Sequence, residues 1–260
     1  MRLLVESADV QKNDVVLEVG CGTGSLTEIL VEKAGWVVAV EIDKKLFKIA
    51  KYQLEKAKNI EFFNSDILKS KKIINPHVLN SIKKARGRFT GRFMLVSNLP
   101  YNIASPLILN LLTGPERVDR MYVTVQKEVA DRMIAAPNSK EYGVLSIFLA
   151  ATGIVKVERK LKPAVFWPRP KVDSAMVSFI FSPEKASRIA NMELFGRIVG
   201  LFMQHRRKTL MACSKLAGGK IKQISNWDEI FEKCSINPAW RPNQLSPEGY
   251  ISLTQYIEKT

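Results

Sequence analysis

Four consecutive residues, Asn98-Leu99-Pro100-Tyr101, bring an amide oxygen, a rigid turn and an aromatic face together directly after the apolar run Phe93-Met94-Leu95-Val96. The chemistry they suit is methyl transfer to a planar exocyclic amine. An adenine amine is a poor nucleophile because its lone pair is delocalised into the ring. Acceptors aimed at its hydrogens favour a pyramidal nitrogen whose pair is available for attack. The Asn98 side-chain oxygen and the Leu99 carbonyl are the candidate acceptors. Pro100 fixes its own φ and restricts the residue before it, which would hold that carbonyl in place. Tyr101 offers a face for a flipped base, an interaction worth about 1–3 kcal/mol at single-stranded nucleic-acid sites. Asn and Pro are also ordinary turn residues, so the tetrapeptide alone does not separate a site from a strand-to-turn junction.

A methyl-donor site is legible upstream. The β-branched run Val15 to Val19 leads into Glu18-Val19-Gly20-Cys21-Gly22-Thr23-Gly24, followed by a helical stretch from Leu26 to Ala34. Glycines at 20, 22 and 24 permit a tight turn and close approach of a ligand to the backbone, with a helix amino end facing it. The spacing matches neither the full dinucleotide fingerprint nor a phosphate loop. It suits the amino-acid portion of S-adenosylmethionine, which carries no phosphate. A second strand, Trp36 to Val40, ends in Glu41-Ile42-Asp43. Glu41 is placed to accept both ribose hydroxyl hydrogens, and Asp43 to cap a helix from Lys44 to Lys56. A third strand, Asn59 to Phe63, leads to Asp66 and Ile67, one to accept from the cofactor adenine and one to pack on its ring. Each acid alone is commonly a cap or a solvated charge; their order at successive strand ends is what points to a cofactor. The expected cofactor set is Glu18, Gly20, Cys21, Gly22, Gly24, Glu41, Ile42, Asp66, Ile67 and Asn98, in an α/β, Rossmann-like methyltransferase domain.

The chain resembles the KsgA-type ribosomal RNA small-subunit adenine dimethyltransferase family from about Val15 onward. Besides the glycine loop and Asn98 to Tyr101, the likeness rests on Gln126-Lys127-Glu128-Val129-Ala130-Asp131-Arg132-Met133 and Ser139-Lys140-Glu141-Tyr142-Gly143. It continues in Phe166-Trp167-Pro168-Arg169-Pro170-Lys171-Val172-Asp173-Ser174 and Gln204-His205-Arg206-Arg207-Lys208-Thr209-Leu210, two blocks specific to this family. The resemblance implies dimethylation of the N6 amines of two adjacent adenines in small-subunit ribosomal RNA. It makes S-adenosylmethionine the donor and S-adenosylhomocysteine the product. Asn98, Leu99, Pro100 and Tyr101 would hold the amine, with Phe166 sandwiching the base against Tyr101. Two alternate prolines, Pro168 and Pro170, stiffen the Phe166 segment; covering of the core is the plainer role for Trp167. Family members carry, ahead of the first strand, a Gly-Gln-Asn-Phe-Leu-like segment that touches the cofactor. Residues Met1 to Ala8 resemble the helix just after it, and the motif is not among the 260 residues. The alternatives are a non-catalytic RNA-binding assembly factor derived from the enzyme, and a large-subunit rRNA adenine methyltransferase.

Charge agrees with an RNA partner. The 40 Lys and Arg against 25 Asp and Glu leave a net charge of +15, an electrostatic footprint for a polyanion. Between Ile67 and Arg92 lie eight basic residues and no acid; this stretch reads as a basic insertion with a short helix from Pro76 to Ala85. From it, Lys69, Lys71, Lys72, Lys83, Lys84, Arg86 and Arg88 are candidate RNA-backbone contacts, joined by Lys127 and by Arg206, Arg207 and Lys208. Such contacts position RNA without reading a base. Glu128 and Arg132 stand four apart in the order that braces a helix. Strand Ala175 to Phe181 is expected to close the sheet. Beyond Phe181-Ser182-Pro183 the apolar spacing turns helical, with a long helix from Met192 to Leu216 and a last helix from Pro247 to about Ile257. The expected division is a methyltransferase domain over 1–182 and a small helical RNA-binding domain over 183–260. His77 and His205 have no metal-like company, and Cys21, Cys213 and Cys234 are too scattered for a zinc site or disulfide framework. The sequence shows no apolar stretch of spanning length and no signal peptide. A monomer is expected, acting on a pre-ribosomal particle in the cytoplasm and away from membranes.

Overall fold

Short β-branched runs alternating with amphipathic stretches build a mostly parallel sheet, because parallel strands need a crossover of helical length. The computed structural model describes residues 2–163, 172–221, 223–224 and 226–259. It divides into two units, Met1–Ala130 with Val155–Phe181, and Asp131–Ile154 with Ser182–Thr260.

In the first unit the strands are β1 (Val15–Val19), β2 (Trp36–Glu41), β3 (Ile60–Asn64), β4 (Leu68–Ser70), β5 (Ile73–Ile74), β6 (Phe93–Asn98), β7 (Arg120–Gln126), β8 (Gly153–Leu161, starting just before the unit) and β9 (Ser174–Phe181). Seven of them form one sheet in the order β3-β2-β1-β6-β7-β9-β8, while β4 and β5 make a small separate ladder. Pairs β1 with β2, β1 with β6, β2 with β3 and β6 with β7 are parallel, and β9 runs antiparallel to β7. The helices are α1 (Arg2–Ala8), α2 (Ser25–Lys33), α3 (Lys44–Gln53), α4 (Pro76–Arg86), α5 (Ala104–Thr113) and α6 (Lys127–Met133). All five residues of β1 are buried, as are the first five of β6, which is why both read as continuous apolar runs.

The order of strands reverses between β1 and β6, the place where ligands bind in open α/β sheets. Two polar devices frame that seam. At its base the buried Asp14 carboxylate receives the Arg92 guanidinium on both oxygens, Nε at 3.1 Å and Nη2 at 2.5 Å, together with the Gln11 and Arg92 amides. Burial works against the Asp14 charge, but these hydrogen bonds outweigh it and hold the carboxyl below its ordinary value. At the top, the paired register covers only Val15–Leu17 against Phe93–Leu95. There the Ser97 hydroxyl donates to the Val19 carbonyl at 2.6 Å and lies 3.3 Å from the Val19 amide. A side chain thus replaces the ladder as the strands part.

Several sequence expectations need correction. β9 does not close the sheet: β8 lies outside it. The helix after Asp43 ends at Gln53 rather than Lys56. The basic stretch 67–92 is part of the sheet's wiring, since α4 supplies the crossover before β6 and buries Val78, Ser81, Ile82 and Ala85.

The second unit holds α7 (Val144–Thr152), α8 (Pro183–Ser187), α9 (Met192–Gln204), α10 (Leu210–Ser214), α11 (Trp227–Lys233) and α12 (Pro247–Lys259). Seven of the nine α7 residues are buried, so this helix has to be covered all round. Phe148 meets Phe195 edge-on at 5.0 Å, and the Tyr142 hydroxyl donates to the Leu245 carbonyl at 2.9 Å. That packing is why residues 131–154 group with the C-terminal helices rather than with 1–130. The expected long helix from Met192 to Leu216 is two helices. His205 is non-helical, and Thr209 starts α10 as an N-cap, its hydroxyl accepting from the Ala212 amide at 3.2 Å.

Candidate active site

The glycine loop between β1 and α2 is a left-handed turn at three positions, with φ of +77° at Gly20, +59° at Gly22 and +95° at Gly24. Gly20 also has no room for a side chain: a Cβ there would lie 2.9 Å from Pro100 Cγ. The glycine loop and the Asn98–Tyr101 turn are therefore in direct apposition. A Cβ at Gly22 would meet nothing within 4 Å, so the backbone there faces open space. Glu41, at the end of β2 and 6% exposed, ties the loop to its own strand. One oxygen accepts from the Gly22 amide at 2.8 Å, the other from the Asp43 amide at 2.8 Å. Each oxygen keeps a second lone pair for a ribose hydroxyl. Asp43 caps α3, accepting from the Lys45 and Leu46 amides at 2.7 and 3.0 Å.

Beneath the loop, Glu18 is buried and its Oε2 has no hydrogen-bond partner among the described residues. Burial pushes the Glu18 carboxyl up to about 8; the Thr27 hydroxyl works against the shift and the nearby Glu41 charge adds to it. Cys21 is pushed up to about 12 by burial and by the charges of Glu18 and Glu41, which makes its thiol inert at neutral pH. An orphaned acid under a glycine turn with a vacated Cβ position suits a cationic amino-acid moiety. The residues therefore fit S-adenosylmethionine: Gly20, Gly22 and Gly24 would allow the backbone approach, the unpartnered Glu18 oxygen would accept from the ammonium, and Glu41 would take the ribose. When bound, that cofactor supplies an activated methyl group on a sulfonium.

At the third strand end the two expected residues part company. Asp66 is exposed, with Oδ1 accepting from the Leu68 amide at 2.9 Å. Ile67 is only 2% exposed, its side chain packed into the core. Ile42 is 68% exposed and directly follows Glu41, so its apolar side chain is open to solvent beside that carboxylate.

Asn98 ends β6 in register with Thr124, and the Leu99 amide continues the pairing by donating to the Thr124 carbonyl at 3.0 Å. No described residue bonds to the Asn98 side-chain amide or donates to the Leu99 carbonyl. Both acceptors are thus held by a strand while remaining unspent. The Tyr101 hydroxyl lies 3.2 Å from the Ser174 hydroxyl at the start of β9, which fixes the ring from its far end. Phe166 lies outside the described residues. Ser97 and Ser174 were missed as site-builders; Ser97 did leave a signal, a lone hydroxyl inside an apolar strand.

A family model described as ribosomal RNA adenine dimethylase matches residues 1–259. The chain belongs to the ribosomal RNA adenine dimethylase family. It is an S-adenosylmethionine-dependent rRNA adenine methyltransferase. Among curated proteins it is similar to ribosomal RNA small subunit methyltransferase A of Alkaliphilus metalliredigens, 35% identical over 258 residues, 98% of this chain and 85% of that one. The protein of the same name from Latilactobacillus sakei is 36% identical over 265 residues, 100% and 85% of the two chains. Among solved structures, a dimethyladenosine transferase from Plasmodium falciparum superposes with a TM-score of 0.77 at 24% identity, covering 98% and 94%. The 23S rRNA methyltransferase ErmE superposes at 0.64 with 22% identity, covering 98% and 96%. These two show the Rossmann-like fold.

The basic residues expected on the dimethylase surface are not equivalent. Lys69, Lys71, Lys72, Lys83, Lys84, Arg88 and Lys127 are exposed in the first unit, and Arg206, Arg207 and Lys208 in the second. Arg206 donates to the Lys140 carbonyl at 3.1 Å. Arg86 stands apart. It pairs with Glu116 at 3.3 Å, donates to the Arg117 carbonyl at 3.2 Å and lies 5.7 Å from the Phe93 ring centre, contacts that give it a structural occupation. Among the described residues no helix is long and apolar enough to cross a membrane, and no cluster of His, Cys, Asp and Glu could hold a metal.

Proposed function

We propose that this dimethylase places two methyl groups on the N6 amine of each of two adjacent adenines near the 3′ end of small-subunit ribosomal RNA, as a cytoplasmic monomer acting on a pre-ribosomal particle. The observation that carries the reading is the pair of unspent acceptors, Asn98 Oδ1 and the Leu99 carbonyl, on a strand end apposed to the glycine loop. The names of the curated relatives support the small subunit over the large one as target.

The chain's own part in the reaction is positional. Asn98 and Leu99 accept the two amine hydrogens, which turns the nitrogen lone pair out of conjugation and toward the donor. Tyr101, braced by Ser174, carries the flipped base, and Phe166 is assigned the opposite face. Attack is in line, so rate comes from orientation and from acceptors aimed at charge developing on the amine. After transfer the nitrogen returns its proton to solvent. The two units share the RNA: Lys69, Lys71, Lys72, Lys83, Lys84, Arg88 and Lys127 act from the methyltransferase unit. Arg206, Arg207 and Lys208 act from the helical one.

Asn98→Ala tests the assignment. Removing one preorganised hydrogen-bonding group from such a site costs about 10²–10³ in rate, so tritiated-methyl incorporation into undermethylated small subunits is expected to fall by about that factor. Cofactor affinity by calorimetry should change little. Wild-type-like incorporation by the variant would remove Asn98 from the mechanism, and incorporation into large subunits alone by the wild-type chain would overturn the substrate.

A further inference from the structure

A second basic stretch lies in α3 and the turn that follows it. Between Lys44 and Lys58 the chain carries six lysines, at 44, 45, 48, 51, 56 and 58, against the single acid Glu55. All six are exposed, and none is in an ion pair with a described residue.

Their placement works against the helix that holds them. Lys44 and Lys45 occupy the first turn of α3, where no acid is present and the peptide dipoles already concentrate positive charge; only the Asp43 cap offsets them. Lys44 and Lys48 are four apart, and Lys48 is three from both Lys45 and Lys51, spacings at which like charges destabilise a helix. A solvated face alone would not require that arrangement. A polyanion across it would turn each repulsive neighbour into a shared partner.

The same face carries exposed ring and aliphatic surface. Tyr52 is 76% exposed and Ile49 43% exposed. Lys44, Lys48, Lys51 and Tyr52 share one stripe by helical spacing. Lys48, Lys51 and Tyr52 line an open cleft of about 640 Å³ between α3 and β3, with Phe62 at its wall. Glu55 and Glu61 line it too, Glu61 accepting from the Ser81 hydroxyl at 2.5 Å. The phosphates accordingly belong to the lysine rim and the base to Tyr52.

We infer that the outer face of α3 is a further RNA-binding site, in which Lys44, Lys48 and Lys51 contact the backbone of an unpaired rRNA segment and Tyr52 stacks on one of its bases. The inference rests on the rRNA-substrate reading. Because α3 begins three residues after Glu41, a strand held here also steadies the segment that carries Ile42.

The test uses the full chain and undermethylated small subunits. The triple variant Lys44→Gln, Lys48→Gln, Lys51→Gln removes three phosphate contacts, so the slope of log K against log[salt] should become shallower by about 2 to 3. Affinity at moderate salt should drop about tenfold or more, and Tyr52→Ala should cost about fivefold or more. Replacing the same lysines by arginine should restore binding. Cofactor affinity by calorimetry confirms that the variants fold. A second measurement needs no variant: bound RNA should shield Lys44, Lys48 and Lys51 of the wild-type chain from acetylation read by mass spectrometry. A wild-type slope and affinity in the folded triple variant, or unshielded lysines, would overturn the inference. So would a loss confined to phosphatidylserine vesicles with RNA binding intact. Failure of the substrate reading looks different, as absent methylation of small subunits by the wild-type chain.

Discussion

A buried acid with one oxygen unpartnered among the described residues is the most informative single residue in the site. Glu18 has its folded-state pKa raised to about 8 by burial, with Glu41 adding to the shift, against 4.5 when unfolded. The folded chain therefore holds a proton that the unfolded chain gives up between those values. The corresponding stability is fully present below about 4.5 and is lost as pH rises through 8, with a slope of up to about 1.4 kcal/mol per pH unit. Glu18→Gln keeps the shape and removes the titration. Without cofactor, the variant should gain melting temperature over the parent progressively from pH 5 to pH 8, read by calorimetric melts across that range. Parallel curves for the two proteins would show that Glu18 stays ionised in the fold. Asp14 behaves in the opposite sense: its lowered pKa means that its contribution is present at neutral pH and fades as pH falls through the folded-state value.

Elements, rather than residues, decide whether the target base is held or merely admitted. The turn after β6 is anchored at both ends, by the Leu99 amide on the Thr124 carbonyl and by the Tyr101 hydroxyl beside Ser174 on β9. Tyr101→Phe and Ser174→Ala each remove the same tether, so each should lower kcat/KM for methyl transfer by a few-fold, about 0.5–1.5 kcal/mol for one hydrogen bond. The double variant should be little worse than either single one. Additive losses would mean that the two hydroxyls act separately. This tether was not legible in the sequence, because it joins residues 73 positions apart. The strand ends were legible: buried parallel strands read as unbroken apolar runs, and the polar residue that stops each run is the one at the ligand edge. Local chemistry that contradicts a period was harder to see. Leu194, Ile198, Leu201 and Phe202 predict one long helix, yet the Thr209 cap restarts the chain as α10. β4 and β5 are three and two residues long, too short to leave a pattern. Ile67 follows Asp66 just past a strand end, as a ring-packing residue should, yet only 2% of its surface is exposed.

Across the whole molecule, a net charge of +15 says that a polyanion will bind but not which of the 40 cations take part. The structure sorts some of them. Arg92 is committed to Asp14, and Arg86 to Glu116, the Arg117 carbonyl and the Phe93 ring. Lys84, two residues before Arg86 on the same helix, is exposed and in no ion pair with a described residue. If about six phosphates are contacted in all, log K for rRNA should fall against log[salt] with a slope of about −4 to −5. Lys84→Ala should make that slope shallower by just under one and leave the melting temperature unchanged. Arg86→Ala should do the reverse, leaving the slope near its wild-type value while lowering thermal stability, since it strands Glu116 and uncovers Phe93. Filter binding over a salt series, run beside thermal melts of the same samples, separates the two. A slope change for Arg86→Ala equal to that for Lys84→Ala would mean that the intramolecular pairs open when RNA binds, and that counting committed cations in the free protein understates its RNA surface.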